Sequence, residues 1–354
     1  MRVGGGHNGA VRVLICGDHW GDLAAADVTS AIASGWQERQ PTAEVVAVPF
    51  SSGGQGFVAT VAASLNVDPE EAQSHSHLCH GDAHYLDGAA LTGGGDSGPL
   101  GAAIADAVDA GAKRIVVGVG DAAGVDGGAG LMHALGRSAD LALALPQAVE
   151  RTHGVELVAA YKEDIALLGL KGASATAVDT LGWTKQQAQD AEACIGEFVA
   201  QVRRILPPRT DLLTGKVHRL DRDPGSGAGG GVGFALGILG ARMLPGADFF
   251  AEIVGLDRHV AAADLVVVAT RIFDWRSLAY DTVATTVQAA TAAATPAIVL
   301  AERLDVGRRE TMSLGASAAY PLTDPHSLRR RMDAEPRAAL AALARRVAGT
   351  WSAT

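Results

Sequence analysis

Five short stretches of this 354-residue chain hold the residue types that could do chemistry. They read CGDHWGD (16–22), PFSSGGQGFVATVA (49–62), HSHLCHGDAHY (75–85), GVGDAAGVDGGAGLMHALG (118–136) and PGSGAGGGVGFALG (224–237). The last contains the pattern GxGxxG at Gly225, Gly227 and Gly230, but a dinucleotide fingerprint needs a hydrophobic strand before it, and here the chain reads HRLDRDP. A Walker loop is absent, because the only Gly-Lys pair, Gly215-Lys216, is followed by Val217. What this stretch does predict is a glycine loop entering a helix near Gly233, where free amides and the helix dipole favour an anion; close helix packing is the structural alternative. In the 118–136 stretch a strand, a glycine loop and a helix follow one another, the geometry in which backbone amides approach a phosphate or carboxylate. Asp126 in its middle could hold Mg²⁺ or accept a proton, or could simply cap the helix. Ser51, Ser52 and Gln55 offer neutral hydrogen bonds, and Asp18 and His19 fall at a strand's C-terminal end, where α/β sheets bind ligands. The histidines of 75–84 with Cys79 suggest a metal by composition, yet their spacing fits no zinc pattern and their flanks read as a solvated loop. No GxSxG elbow for serine chemistry is present.

These loops need a scaffold, and the sequence supplies one. Short β-branched runs at 11–17, 44–50, 114–120, 155–160, 264–272 and 296–302 predict strands covered on both faces. Helical patterns lie between them at 24–40, 100–110, 130–136, 185–206, 233–243 and 282–294, and EPRAALAALARRVAG closes the chain. Alternating strands and helices predict an α/β fold with largely parallel sheets. The organisation expected is a flexible tail over 1–10, a discontinuous doubly wound, Rossmann- or flavodoxin-like domain from 11–79 plus 251–354, and a second, glycine-rich α/β domain inserted at 80–250.

Composition narrows the function classes. A 48% hydrophobic content supports full cores, and a net charge of -10 argues against nucleic acid, whose phosphates need a basic face. Cys16, Cys79 and Cys194 are few and far apart, which fits a reducing cytoplasm. No run approaches the roughly 18 apolar residues of a membrane span. The composition suits a protein of small molecules; a homodimer or a protein partner is left open.

Taken in order, the glycine loops and two further stretches, YKEDIALLGLKGAS (161–174) and ATRIFDWRSLAYD (269–281), resemble the motifs of the bacterial two-domain glycerate kinase family, from Val11 to about residue 325. In that family the first strand ends in P-D-S-(F/Y)-K and the second in A-D-G-G-E-G-T, and a third is followed by G-G-S-A-T-N-D-G-G-A-G. Then come C-D-V-x-N-P-L-x-G, P-G-A-G-A-A-G-G-x-G-F-A-L and T-G-E-G-R-x-D-x-Q-(T/S)-x-x-G-K. The resemblance implies ATP-dependent phosphoryl transfer to glycerate or a similar small hydroxy acid, with Mg²⁺, ATP and the acid as ligands. It places Asp18, Asp126 and Asp274 on motif aspartates, as catalytic groups, with Asp126 and Asp18 as Mg²⁺ ligands. Gly53, Gly54, Gly56, Gly127, Gly128, Gly225, Gly227, Gly229 and Gly230, with Arg271, fall on phosphate- or substrate-binding positions.

The departures are in the charges. Gly21 and Asp281 stand where the family has lysines, Ser52 and Gln55 replace an Asp and a Glu, and Lys162 and Ile165 replace an Asp and an Asn. Ala269 to Ile272 take the place of G-E-G-R, with Arg271 one position out of register. Phosphoryl transfer needs cations around the moving group and carboxylates for Mg²⁺. Lys113, Lys171, Lys216, Arg222 or Arg271 would therefore have to supply positive charge. The alternative is a pseudoenzyme that keeps the cradle and binds a metabolite or a protein partner without turnover.

Overall fold

The computed structural model describes residues 10–67, 74–207, 210, 215, 217–322 and 335–351. The expected tail, except Ala10, and Lys216 lie outside the described residues. Among the described residues there are ten strands: β1 (Arg12–Gly17), β2 (Glu44–Pro49), β3 (His77–His80), β4 (Ala83–Asp87), β5 (Arg114–Val119), β6 (Glu156–Tyr161), β7 (Arg242–Pro245), β8 (Leu265–Phe273), β9 (Ala297–Leu304) and β10 (Ala318–Pro321). They form two five-stranded sheets within two units, residues 1–51 with 251–354 and residues 52–250.

In the first unit all strands run parallel in the order β10-β9-β8-β1-β2. This is the doubly wound, flavodoxin-like order, and it reverses direction at β1 and β8, the switch point at which such sheets bind ligands. Val13 and Ile15 of β1, Val267 and Ala269 of β8, and Ile298 and Leu300 of β9 face a core completed by the helices Ala25–Arg39 and Pro336–Ala348. These two helices approach closely at Gly35, where an added Cβ would lie 2.0 Å from the Ala341 carbonyl oxygen. On the opposite face Cys16 meets Thr286 of the helix Thr282–Ala292, and burial pushes its thiol up to about 12.

The second unit has the order β3-β4-β5-β6-β7, parallel except for the antiparallel β3–β4 pair. One face carries Leu86, Val117, Val119, Leu157 and Ala159 into a core shared with the helices Gly98–Asp109, Ala129–Leu135, Lys185–Ile205 and Val232–Ile238. On the other face Phe57 lies over Gly118, where a Cβ would come within 2.6 Å of the ring, and it packs against Phe249 and Phe250.

Three expectations change. Residues 52–79 fall in the second unit, because the helix Phe57–Ser64 packs on its sheet and β3 joins its edge. The histidine stretch is a hairpin, not a loop: β3 and β4 are joined by the two residues Gly81 and Asp82, with Gly81 at φ 65°. The helix expected over 233–243 ends at Ile238, Gly240 turns the chain at φ 85°, and Arg242 to Pro245 become β7.

Candidate functional site

The PGSGAGGGVG loop is shaped by close approach. Gly225 lies on the Tyr161 ring, a Cβ at Gly227 would sit 2.2 Å from the Ala166 carbonyl oxygen, and one at Gly230 would sit 2.0 Å from that of Gly124. Gly229, Gly230 and Gly231 all take positive φ, at 60°, 68° and 100°, and lead into the helix Val232–Ile238. The loop is braced from below. Gly225 donates its amide to Asp164, and the Ser226 hydroxyl donates to the Asp221 carbonyl while accepting from the Leu167 amide. Asp221 is only 4% exposed and takes hydrogen bonds from Arg203 and Arg219. Burial pushes its carboxyl up, but the bonds and charges of the two arginines outweigh this and hold it at about 2.

Against this loop lies the turn after β5. The Gly127 amide donates to the Gly230 carbonyl, and Gly54 reaches the same place from the SSGGQG loop, its Cα 3.3 Å from where a Cβ of Gly120 would stand. The amides of Ala122, Ala123, Gly124 and Val125 find no acceptor among the described residues. Ala122, Gly124 and Val125 line a cavity of about 70 Å³ with Gly227, Gly229, Gly230, Glu163 and Thr176. About 10–15 Å³ of such space holds one water, so the cavity admits a small group such as a phosphoryl or carboxylate.

Asp126 holds this arrangement together. Its Oδ2 accepts from the Ser97 amide (3.0 Å), the Ser97 hydroxyl (2.6 Å) and the Gly130 amide (3.1 Å), and its Oδ1 from the Gly128 amide (2.8 Å). Ser97 in turn accepts from the Leu131 amide. Four donors converging on two oxygens are the geometry of the capping alternative, and they fit a metal ion poorly.

In the SSGGQG loop the amides meet carboxylates. Gln55 donates to Asp121 Oδ2 (3.0 Å) and Gly56 to Asp87 Oδ2 (2.9 Å). Asp87 is buried at the end of β4 and caps a helical turn through the Ala90 amide. Burial raises its carboxyl, opposed by amide bonds from Ala90, Gly56 and Phe57 and reinforced by Asp121. Lys162 places its Nζ 2.8 and 2.7 Å from the two oxygens of Asp121. Asp87 and Asp121 are absent from the residues that the sequence singles out, and Lys162 enters there only as a lost acid. The available signal is that Asp121 stands at the second position of GDAAGVDGGAG, a glycine in the family's motif.

The first unit holds the other expected residues. Asp18, 8% exposed at the end of β1, accepts from the His19 amide (2.7 Å), pairs with His19 Nδ1 (2.9 Å) and receives the Thr282 hydroxyl at 3.4 Å. This places it at the switch point, over the first turn of the helix Thr282–Ala292, which Asp281 caps. Asp274 follows β8 and accepts from the Arg276 amide (2.8 Å). Arg271 is exposed on β8. No hydrogen bond joins Asp18 to Asp274 among the described residues.

The expected replacement cations lie elsewhere. Lys113 precedes β5, at the end of the strand away from the loops, and Lys113, Lys171 and Arg222 are exposed and do not line the cavity. On the hairpin His77 Nε2 lies 2.8 Å from His84 Nδ1, and burial lowers both rings' affinity for a proton. Among the described residues no group of three or more His, Cys, Asp or Glu is arranged to hold a metal ion. No helix there is long and apolar enough to cross a membrane.

A doubly wound unit with a second α/β unit inserted, carrying three converging glycine loops, is the frame of a known class of phosphotransferase. The chain belongs to the glycerate kinase family, whose model matches residues 13–352. It is 29% identical over 340 residues to an uncharacterized protein of Mycobacterium bovis, covering 89% of this chain and 85% of that one. A glycerate kinase of Halalkalibacterium halodurans is 24% identical over 343 residues, with 85% and 87% covered, and the glycerate 2-kinase of Escherichia coli is 25% identical over 311, with 76% and 79% covered. A solved structure assigned as glycerate kinase 2 from Salmonella typhimurium LT2 shares the fold, with a TM-score of 0.68 at 24% identity, over 96% of this chain and 98% of that one.

Proposed function

We propose that this protein transfers a phosphoryl group from ATP to glycerate or a similar small hydroxy acid. The observation that carries this reading is the cavity in the second unit, lined by Gly227, Gly229 and Gly230 and by Ala122, Gly124 and Val125, whose three amides have no acceptor among the described residues and so suit an anionic group. Asp18 and Asp274 keep the roles that the family pattern gives them. Asp18, a buried carboxylate at the switch point of the first unit, is the residue that the family pattern offers to Mg²⁺, an ion that serves phosphoryl transfer by neutralising charge. Asp126 acts here as a positioning residue through its four hydrogen bonds. The reading goes with a cytoplasmic protein whose ligands are a nucleotide and a hydroxy acid, as a monomer or a homodimer.

A second reading, binding of a metabolite or protein partner without turnover, is favoured by one observation: the lysine nearest the loops, Lys162, is already neutralised by Asp121. The test is ADP release from the purified protein with MgATP and D-glycerate, with thermal unfolding measured in each ligand separately. Glycerate-dependent ADP release is the expected result. Its absence, with a rise in melting temperature from either ligand, removes the kinase and leaves the binding protein. No release and no rise removes both.

A further inference from the structure

We propose that Asp121 is an internal anion that holds the place of a ligand's anionic group beside Lys162, so that Lys162 is the cation of the cradle and Asp121 the residue that a ligand displaces. The inference rests on reading the loops as an anion cradle, and it requires no turnover.

The geometry is that of a bound carboxylate. Asp121 Oδ2 accepts from the Gln55 amide at 3.0 Å and from Lys162 Nζ at 2.7 Å, while Oδ1 lies 2.8 Å from the same ammonium. The SSGGQG loop closes on it so tightly that a Cβ at Gly54 would stand 2.1 Å from Asp121 Oδ2 and 2.9 Å from Lys162 Cδ. Asp121 has φ 48°, a left-handed conformation that favours glycine and that Asp and Asn also tolerate. That is the position at which the family's motif has glycine, and Lys162 stands where it has an aspartate. The two departures are complementary: one introduces a cation, and the other supplies its counter-anion through a backbone already shaped for a residue without a side chain. Asp121 also lines the cavity with Ala122, Gly124 and Val125, whereas Lys162 does not, so Asp121 is the residue that joins the cavity wall to the ammonium. The pair is about a quarter to a third exposed, which leaves the exchange open to a small anion. A phosphate or carboxylate group entering the cavity gains Lys162 only as Asp121 gives it up.

The structural alternative is a latch that merely ties two loops. Binding of inorganic phosphate to the whole protein, measured by isothermal titration calorimetry at low salt, separates the two. Removing a like charge a few ångströms from the ligand is expected to tighten phosphate binding about tenfold in both Asp121→Asn and Asp121→Gly. Lys162→Met binds no tighter than wild type, and adding it to Asp121→Asn abolishes the gain. Asn is chosen to keep the left-handed backbone, and Gly is the family's own residue, so one folded variant suffices. The proposal is overturned if neither Asp121 variant binds phosphate more tightly, if the gain survives in the double variant, or if the variants lose thermal stability with unchanged affinity. Tighter binding without glycerate-dependent turnover sinks the kinase alone; turnover without tighter binding sinks this inference alone.

Discussion

Asp221 and Asp126 show how differently carboxylates of one chain are employed. Asp126 sits in a motif and looks catalytic, but its oxygens are filled by Ser97 and two glycine amides. Asp221 lies in the charged run HRLDRD, yet it is buried beneath the glycine loop between two arginines. Because its carboxyl is held at about 2 instead of the ordinary 3.8, the native state binds its proton less readily than the unfolded chain does. The resulting stabilisation, on the order of 2 kcal/mol, is fully present above pH 3.8 and is lost as pH falls through about 2. Urea unfolding of wild type and Asp221→Asn across this range should show a stability difference that shrinks as the pH falls; a difference independent of pH would contradict the assignment. The sequence offers the capping role of Asp126, whose Gly128 and Gly130 donors are local, but not the arrival of Ser97 or the burial of Asp221, which depend on what the fold delivers.

The glycine loops were the most legible elements, and the reason is steric. Glycine at a positive φ or under a facing carbonyl leaves few substitutes, so the motif survives while the charges around it change. Gly230 and Gly240 both have positive φ, at 68° and 85°, but a Cβ at Gly230 would meet the Gly124 carbonyl oxygen at 2.0 Å and one at Gly240 would meet nothing within 4 Å. Gly240→Ala should therefore cost about 1 kcal/mol, the backbone term alone, and Gly230→Ala about 3 kcal/mol or more because the two loops must separate. Urea midpoints of the two variants test this, and equal losses would refute it. The β3–β4 hairpin was less legible. Its Gly81-Asp82 turn is a hairpin signal, but four histidines within ten residues draw attention to metal chemistry instead of to strand alternation. Likewise β7 hides at the end of an apolar run that reads as helix until Gly240 interrupts it.

At the scale of the whole molecule, the inserted unit begins near Ser52 and not near residue 80, because the SSGGQG loop and its helix belong to the second sheet. That unit is continuous in sequence and has its own sheet and core. A fragment spanning 52–250 should fold alone, with cooperative thermal unfolding and native-like circular dichroism; a non-cooperative transition would show that its core depends on the rest of the chain.

The sequence by itself determined the α/β class, the doubly wound frame and the three glycine loops. Each of these rests on local periodicity or on steric limits that act within a few residues. Tertiary structure alone decided what the charged residues face. Asp126 is a latch because Ser97 arrives from another helix, and Asp221 is buried because Arg203 and Arg219 converge on it. Lys162 stops being a lost acid and becomes a paired cation because β5 and β6 are neighbours, which brings the residues following them, Asp121 and Lys162, side by side. Electrostatic contacts are set by distance in space, which the order of residues along the chain does not contain.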